Sequence, residues 1–316
     1  MTWTRKKALK DVTILTISQY TVQALVILRG FLFGKYLGPE GFGVWASIYL
    51  FYTYGQYCHL GVFNGAAMLV PEIIGAGETD KANRYLSSAI TWMNVFGLLF
   101  IITVTLYVSL SSSSFISASW LPIILVSFAV PVYLNFNFSV YRLQFKHNFK
   151  KSGVFQALLA ILDLGLSFFL MMNYGITGAF IGMFISLVLV TALIAGDGYK
   201  DLFVFFDKKT FFLLFKFGAK LLLIVFGFGF LTTADKFSVA NFFPKIDMGL
   251  YSMATSVAMV PLTIGAALQG INTQRMLEEF GKTNDQNSIK IFLDESIFAI
   301  AFLVPFFSVM LIAFVE

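Results

Sequence analysis

Nine apolar stretches of membrane-spanning length follow one another between about Asp11 and Glu316, near residues 12–34, 42–64, 85–110, 118–140, 152–173, 176–196, 211–231, 248–271 and 291–315. A helix advances only about 1.5 Å per residue, so crossing hydrocarbon takes roughly 17 to 25 apolar residues, the length each stretch offers. The expected fold class is therefore all-α, a polytopic membrane protein built as a helical bundle. Composition closes the soluble alternative: 58% of the chain is hydrophobic and 12% charged, against about 25% charge in a soluble domain. No soluble interior of this size hides so much apolar surface.

The charges that remain are placed unevenly. Arg5, Lys6, Lys7 and Lys10 precede the first stretch, Lys81 and Arg84 follow the second, and Arg142, Lys146, Lys150 and Lys151 follow the fourth. Lys200, Lys208 and Lys209, then Arg275, Lys282 and Lys290, continue the series, whereas the alternate loops offer only Lys35, Lys236 and Lys245. Cytoplasmic loops carry such an excess of Lys and Arg, so the N-terminus is expected in the cytoplasm. The same bias accounts for the net charge of +5, and no nucleic-acid partner is expected. The first apolar run lacks a small-x-small cleavage pattern and continues to about Phe33, which marks it as a retained span. An odd number of spans leaves Glu316 on the outer side; either the chain is part of a longer carrier or one stretch is misassigned.

Several chemistries are disfavoured. Cys58 is the single cysteine, His59 and His147 are the only histidines, and neither HExxH nor CxxC spacing occurs, so no metal or other cofactor is expected. A GxxxxGK[ST] phosphate loop is also missing, which argues against an internal ATP-hydrolysing engine.

Charges inside the apolar stretches point to function. Arg29 interrupts VQALVILRGFLF, where an isolated charge costs at least about 2.5 kcal/mol unless it faces a wet cavity, an anionic ligand or the interface. Its guanidinium offers paired donors suited to phosphate oxygens, while snorkelling beside Lys35 is the plainer alternative. Lys216 and Lys220, one helical turn apart, present a second cationic face for an anionic headgroup or act as interfacial anchors. Asp163 falls mid-stretch in ALLAILDLGLSFF, a place for charge pairing or proton coupling. Asp235 and Lys236 close the seventh stretch as a candidate external gate or a solvated loop. Tyr49, Tyr52, Tyr54 and Tyr57 crowd the second stretch, either at the interface or turned inward toward sugars. Asn173-Tyr174-Gly175 leaves room only for a very tight hairpin, and Gly178 with Gly182 forms a GxxxG spacing expected to pack helices inside the protein.

LRGFLFGKYLGPEGFGVWASIY, residues 28–49, resembles the first signature of polysaccharide-export flippases, the O-antigen translocase group of the multidrug/oligosaccharidyl-lipid/polysaccharide exporter superfamily. Arg29, Gly34, Leu37, Gly38, Pro39, Gly41, Gly43 and Trp45 carry the likeness. It extends through HLGVFNGAAMLVPEIIGAGETDKANRY, YRLQFKHNFKKSGVFQALLAILDLGLSFFLMMNYGITGAFIGMFIS and TTADKFSVANFFPKIDMGLYSMATSVA, the last placing an Asp-Lys pair at Asp235 and Lys236 and a Gly-x-Tyr at Gly249 and Tyr251. The resemblance implies a V-shaped, MATE-like carrier of two six-helix bundles that moves an undecaprenyl-pyrophosphate-linked oligosaccharide without covalent catalysis. Arg29 would recognise the pyrophosphate, and Lys216, Lys220 and Asp235 are weaker carry-overs. The division expected is a six-helix bundle over residues 1–200 and a partial second bundle of about three helices over 201–316. The implied setting is the bacterial cytoplasmic membrane, with membrane lipids, the lipid-linked oligosaccharide and polysaccharide polymerase or assembly proteins as partners. A structural subunit of an assembly complex, a lipid-modifying enzyme using Asp163, and an exporter of cationic drugs are the competing readings; Arg29 disfavours the last, since it repels a cation.

Overall fold

A computed structural model describes residues 5–199, 202–258, 273 and 276–284, with single positions beyond. The described chain is helical throughout: α1 (Arg5–Gly55), a 3-10 turn (Gln56–His59), α2 (Val62–Gly75), α3 (Thr79–Leu110), α4 (Ser114–Ala118), α5 (Trp120–Phe145), α6 (Phe149–Gly198), α7 (Lys208–Leu231), α8 (Ala234–Phe242) and α9 (Lys245–Ala258).

The apolar stretches do not correspond one to one with these helices. Four are long and apolar enough to span a membrane: Thr79–Leu110, Trp120–Phe145, Phe149–Gly196 and Lys208–Leu231. Ile17–His59 and Val62–Gly75, bent by 53° to each other, pass the same test only when taken together. The shortfall arises because α1 and α6 are each folded back on themselves. In a straight helix residues 33 and 45 would lie about 18 Å apart. The Phe33 and Trp45 rings instead meet at 5.4 Å, across a turn where Gly38 adopts φ 70°. In α6 the turn falls at Gly175, φ 60°, and a Cβ placed on Gly178 would lie 2.0 Å from the Leu170 carbonyl oxygen. Such left-handed backbone is open to glycine at little cost, which is why a three-residue connection suffices. A Cβ on Gly182 would lie 2.4 Å from the Ser167 backbone, so the GxxxG pair packs the hairpin internally.

The second stretch, expected to end at residue 64, runs on through α2 to Gly75 after the 3-10 break. The eighth begins at Lys245 and is described to Ala258; its remainder and nearly all of the ninth lie outside the described residues. Arg142, counted by sequence among loop residues, is buried in the last turn of α5.

Packing explains which helices face lipid. The core joins α1, α2, α3, α5 and α6 through Phe33, Phe42, Ile48, Val62, Met93, Ile123, Phe138 and Phe180. Leu98, Leu99, Ile102 and Leu106 of α3, and Leu223, Ile224 and Phe228 of α7, are exposed and present the apolar exterior that a bilayer solvates. Buried hydroxyls bond back to their own helices, as Ser47 to the Gly43 carbonyl (2.8 Å) and Ser186 to the Gly182 carbonyl (2.7 Å). After α6, residues 202–207 lie along α3, with the Phe205 N–H donating to Thr91 Oγ1 at 3.1 Å and the Trp92 and Phe211 rings 4.4 Å apart. Asp207 then caps α7, accepting from the Thr210 hydroxyl and from the N–H groups of Thr210 and Lys209, and these bonds hold its carboxyl below the ordinary range. The partial second bundle seats on the first through α7 against α2 and α9 against α1.

Candidate functional site

The folding of α1 and α6 brings four polar stripes together. Gln19, Val22, Val26 and Arg29 occupy one face of the first arm of α1, at helical spacing; Tyr49 and Tyr52 line the second arm and Gln56 the 3-10 turn that follows it. Gln156, Ala160 and Asp163 line the first arm of α6, and Tyr133 and Asn137 of α5 complete a cavity of about 250 Å³. Within it Arg29 Nη1 donates to Asp163 Oδ2, while Asp163 Oδ1 accepts from the Ser167 hydroxyl at 2.8 Å. Gln19 Nε2 donates to Gln156 Oε1 at 2.7 Å. The guanidinium carbon sits 5.6 Å from the Trp45 and Tyr49 ring centroids and 5.9 Å from that of Phe33. Those rings favour a cation and shield it from lipid.

Arg29 is therefore buried in the bundle, not snorkelling beside Lys35, and its side chain is only 8% exposed. A guanidinium has five N–H donors, more than one carboxylate can engage. Pairing with Asp163 offsets part of the cost of the buried charge and engages only some of those donors.

Other residues singled out by sequence fall elsewhere. Lys216 and Lys220 share the exposed side of α7, away from Leu214 and Gly218, which pack on α2; neither lines the Arg29 cavity. Asp235 lies on α8 and accepts from the Tyr251 hydroxyl of α9, which joins the two halves of the Asp-Lys and Gly-x-Tyr signature. Lys236 is half-buried beside it. The four tyrosines divide: Tyr49 and Tyr52 face the Arg29 cavity, Tyr54 faces a second cavity, and Tyr57 approaches Gly229 of α7. Tyr52 is buried, not interfacial. His59 is buried too, accepting from the Gly61 N–H at 3.0 Å, on a different loop from His147.

Gln19, Gln156 and Asn137 escape a reading of charges alone. Their signal is an amide recurring on the same helical faces as Arg29 and Asp163, legible only once those faces are known to meet.

A second charged cluster lies at the turn between α5 and α6. Glu278, in helical residues 276–283, lies 3.3 Å from His147 Nε2 and 2.9 Å from Lys282 Nζ. Burial acts to raise the Glu278 pKa, but hydrogen bonds from His147 and Lys282 outweigh it and hold the carboxyl down at about 2. A depressed carboxyl contributes stability above its unfolded value of about 4.5 and loses it as pH falls toward about 2. The protection factors of residues 276–284, exchange rates taken relative to the intrinsic amide rate at each pH, are expected to fall over that window, and a Glu278→Gln variant should already exchange faster than the native protein at pH 7. Equal exchange in the two proteins at pH 7 would refute the assignment.

Residues 8–269 match the family described as "Polysaccharide biosynthesis protein". The chain belongs to this family. No individually curated protein matches it. Among solved structures it is similar to an outward-facing MATE-family multidrug resistance transporter of the MOP superfamily, at 16% identity and TM-score 0.71, covering 95% of this chain and 70% of that one. A MOP-superfamily transporter from Pyrococcus furiosus, described as having a binding pocket of reversed polarity, gives 16% identity and TM-score 0.73 over the same shares. A MATE protein in a straight conformation gives 15% and 0.73, covering 93% and 69%. At these identities the likeness establishes the fold, a MATE-like helical bundle with a partial second bundle. The chain is thus a multi-pass membrane protein of the polysaccharide biosynthesis family with a MATE-like fold.

Proposed function

We propose that the protein flips an undecaprenyl-pyrophosphate-linked oligosaccharide from the cytoplasmic to the outer leaflet of the cytoplasmic membrane. The observation that carries this reading is Arg29, a desolvated guanidinium inside a cavity of amides and tyrosine hydroxyls. A pyrophosphate cannot cross hydrocarbon unaided, since burying an unpaired ionised group costs on the order of tens of kcal/mol before relaxation. A polar cavity with a fixed cation removes that cost while the polyprenyl tail stays in lipid. In this reading the incoming phosphate takes Arg29 from Asp163, and Asp163 retakes it on release.

The remaining parts follow the same scheme. The N-terminus is cytoplasmic, consistent with the basic loops, so the Gly38 and Gly175 turns lie outside and the Glu278 cluster inside. Residues 1–200 and 201–316 act as two units that rock against each other. Lys216 and Lys220 give the headgroup a further cationic surface along α7, and the Asp235, Lys236 and Tyr251 group gates the outer opening. A polysaccharide polymerase or assembly protein would receive the cargo.

A purely structural ion pair is the second reading, favoured by Ser167, which fixes Asp163 from its other side. To test transport, the protein is reconstituted in sealed liposomes with a pyrophosphate-linked oligosaccharide lipid, or with a matched lipid whose pyrophosphate is replaced by a neutral linker. Movement of the first and not the second is expected; equal movement of both, or of neither, would count against the proposal.

A further inference from the structure

The second arm of α1 has two functional faces. Opposite the Tyr49 and Tyr52 face, Ser47, Phe51 and Tyr54 turn toward α8 and the start of α9 and bound a separate cavity of about 380 Å³. That volume is within the range of small-molecule sites. Phe115 and Phe237 supply further aromatic wall, and Asn241 an amide. Lys245 enters from the first turn of α9, its Nζ 4.6 Å from the Phe115 centroid. Among the described residues its hydrogen-bond acceptors are neutral: the Ala240 carbonyl at 3.1 Å and Ser47 Oγ at 3.4 Å.

Each part matches one element of a sugar. Aromatic faces pack against the apolar C–H face of a pyranose ring, amide and hydroxyl groups serve its hydroxyls, and a cation bonded only to neutral oxygens is available to an acid group. We infer that this cavity is a saccharide site, and that Lys245 selects a sugar unit bearing a carboxylate or phosphate. The inference rests on the flippase reading above and assigns it a substrate class, an acidic saccharide. One wall belongs to the first bundle and the other to α8 and α9, so separation of the bundles would divide the site and release the sugar at the outer end.

Binding to purified protein is measured by calorimetry with three probes: a glucuronic-acid-containing disaccharide, its neutral glucose counterpart, and inorganic phosphate. The acidic disaccharide is expected to bind roughly tenfold more tightly than the neutral one, the worth of one charge-assisted hydrogen bond. Lys245→Gln should abolish that preference while leaving neutral binding unchanged, and Lys245→Arg should keep it. Equal affinity for the two sugars, binding of neither, or a preference surviving in Lys245→Gln would overturn the inference. Displacement of the acidic sugar by equimolar phosphate would overturn the saccharide assignment in favour of a simple anion site. Failure of lipid flipping with the sugar preference intact would count against the flippase reading alone.

Discussion

Replacing Arg29 by alanine is expected to abolish lipid flipping and to destabilise the protein by about 3–5 kcal/mol, the usual cost of stranding one member of a buried pair. Asp163 would then keep its Ser167 bond but lose its cation in a cavity walled by tyrosines and apolar side chains. Asp163→Ala should cost a similar amount for the mirror-image reason. The informative variant is the double replacement, which leaves neither charge behind. It should recover most of the stability and none of the transport, because the phosphate contact is gone while the electrostatic penalty is relieved. Thermal unfolding in detergent beside flipping in liposomes separates the two quantities. A double variant that flips lipid at the native rate would reduce the pair to a structural role. Arg29→Lys is expected to retain folding but lose at least roughly tenfold in rate, since an ammonium cannot engage Asp163 and phosphate through a planar fork.

Gly218→Ala is expected to be the most damaging single-methyl change on α7. A Cβ there would sit 1.9 Å from the Gly61 carbonyl oxygen, and one on Gly65 would sit 2.2 Å from that of Leu214. These are backbone atoms, so no rotamer change relieves the overlap; α2 and α7 must part by more than about 1 Å, at a cost of about 3 kcal/mol or more. Because this crossing seats the partial second bundle on the first, parting it should favour the separated arrangement of the bundles. Cys58, the single cysteine, lies in the 3-10 turn immediately before α2 and is partly buried. Its reaction with a thiol reagent is expected to quicken in Gly218→Ala. Gly227, on the same helix, has nothing within 4 Å of its Cβ position, and Gly227→Ala should behave as the native protein does. Matching unfolding temperatures and labelling rates in the two variants would show that the crossing is not tightly packed.

The polytopic class, the tight turn at Gly175 and the unusual position of Arg29 within an apolar run are all legible in the order of residues. Hydropathy reports transfer from water, so it finds the apolar runs, and the cost of a charge among them marks Arg29 and Asp163. It fails at boundaries. The extension of the second span to Gly75 is hidden by a 3-10 break at Gln56–His59 that hydropathy averaging passes over. Arg142 resembles a loop residue because its charge groups it with the neighbouring basic cluster, whereas the backbone carries α5 past it.

What the chain determined locally was which residues share a helical face and where glycine permits a reversal, at Gly38 and Gly175. Only the tertiary structure decided which faces meet. Arg29 and Asp163 are 134 residues apart, and their pairing depends on the rotation of α1 and α6 about their axes as both pack on α5. The same packing set Lys216 and Lys220 apart from Arg29, although all three carry the same charge in similar apolar surroundings. In a membrane protein this information is weakly written in the pattern of residues, because a side chain facing lipid and one facing another helix are both apolar. Contact between helices is then chosen by shape, and shape exists only once the helices are packed.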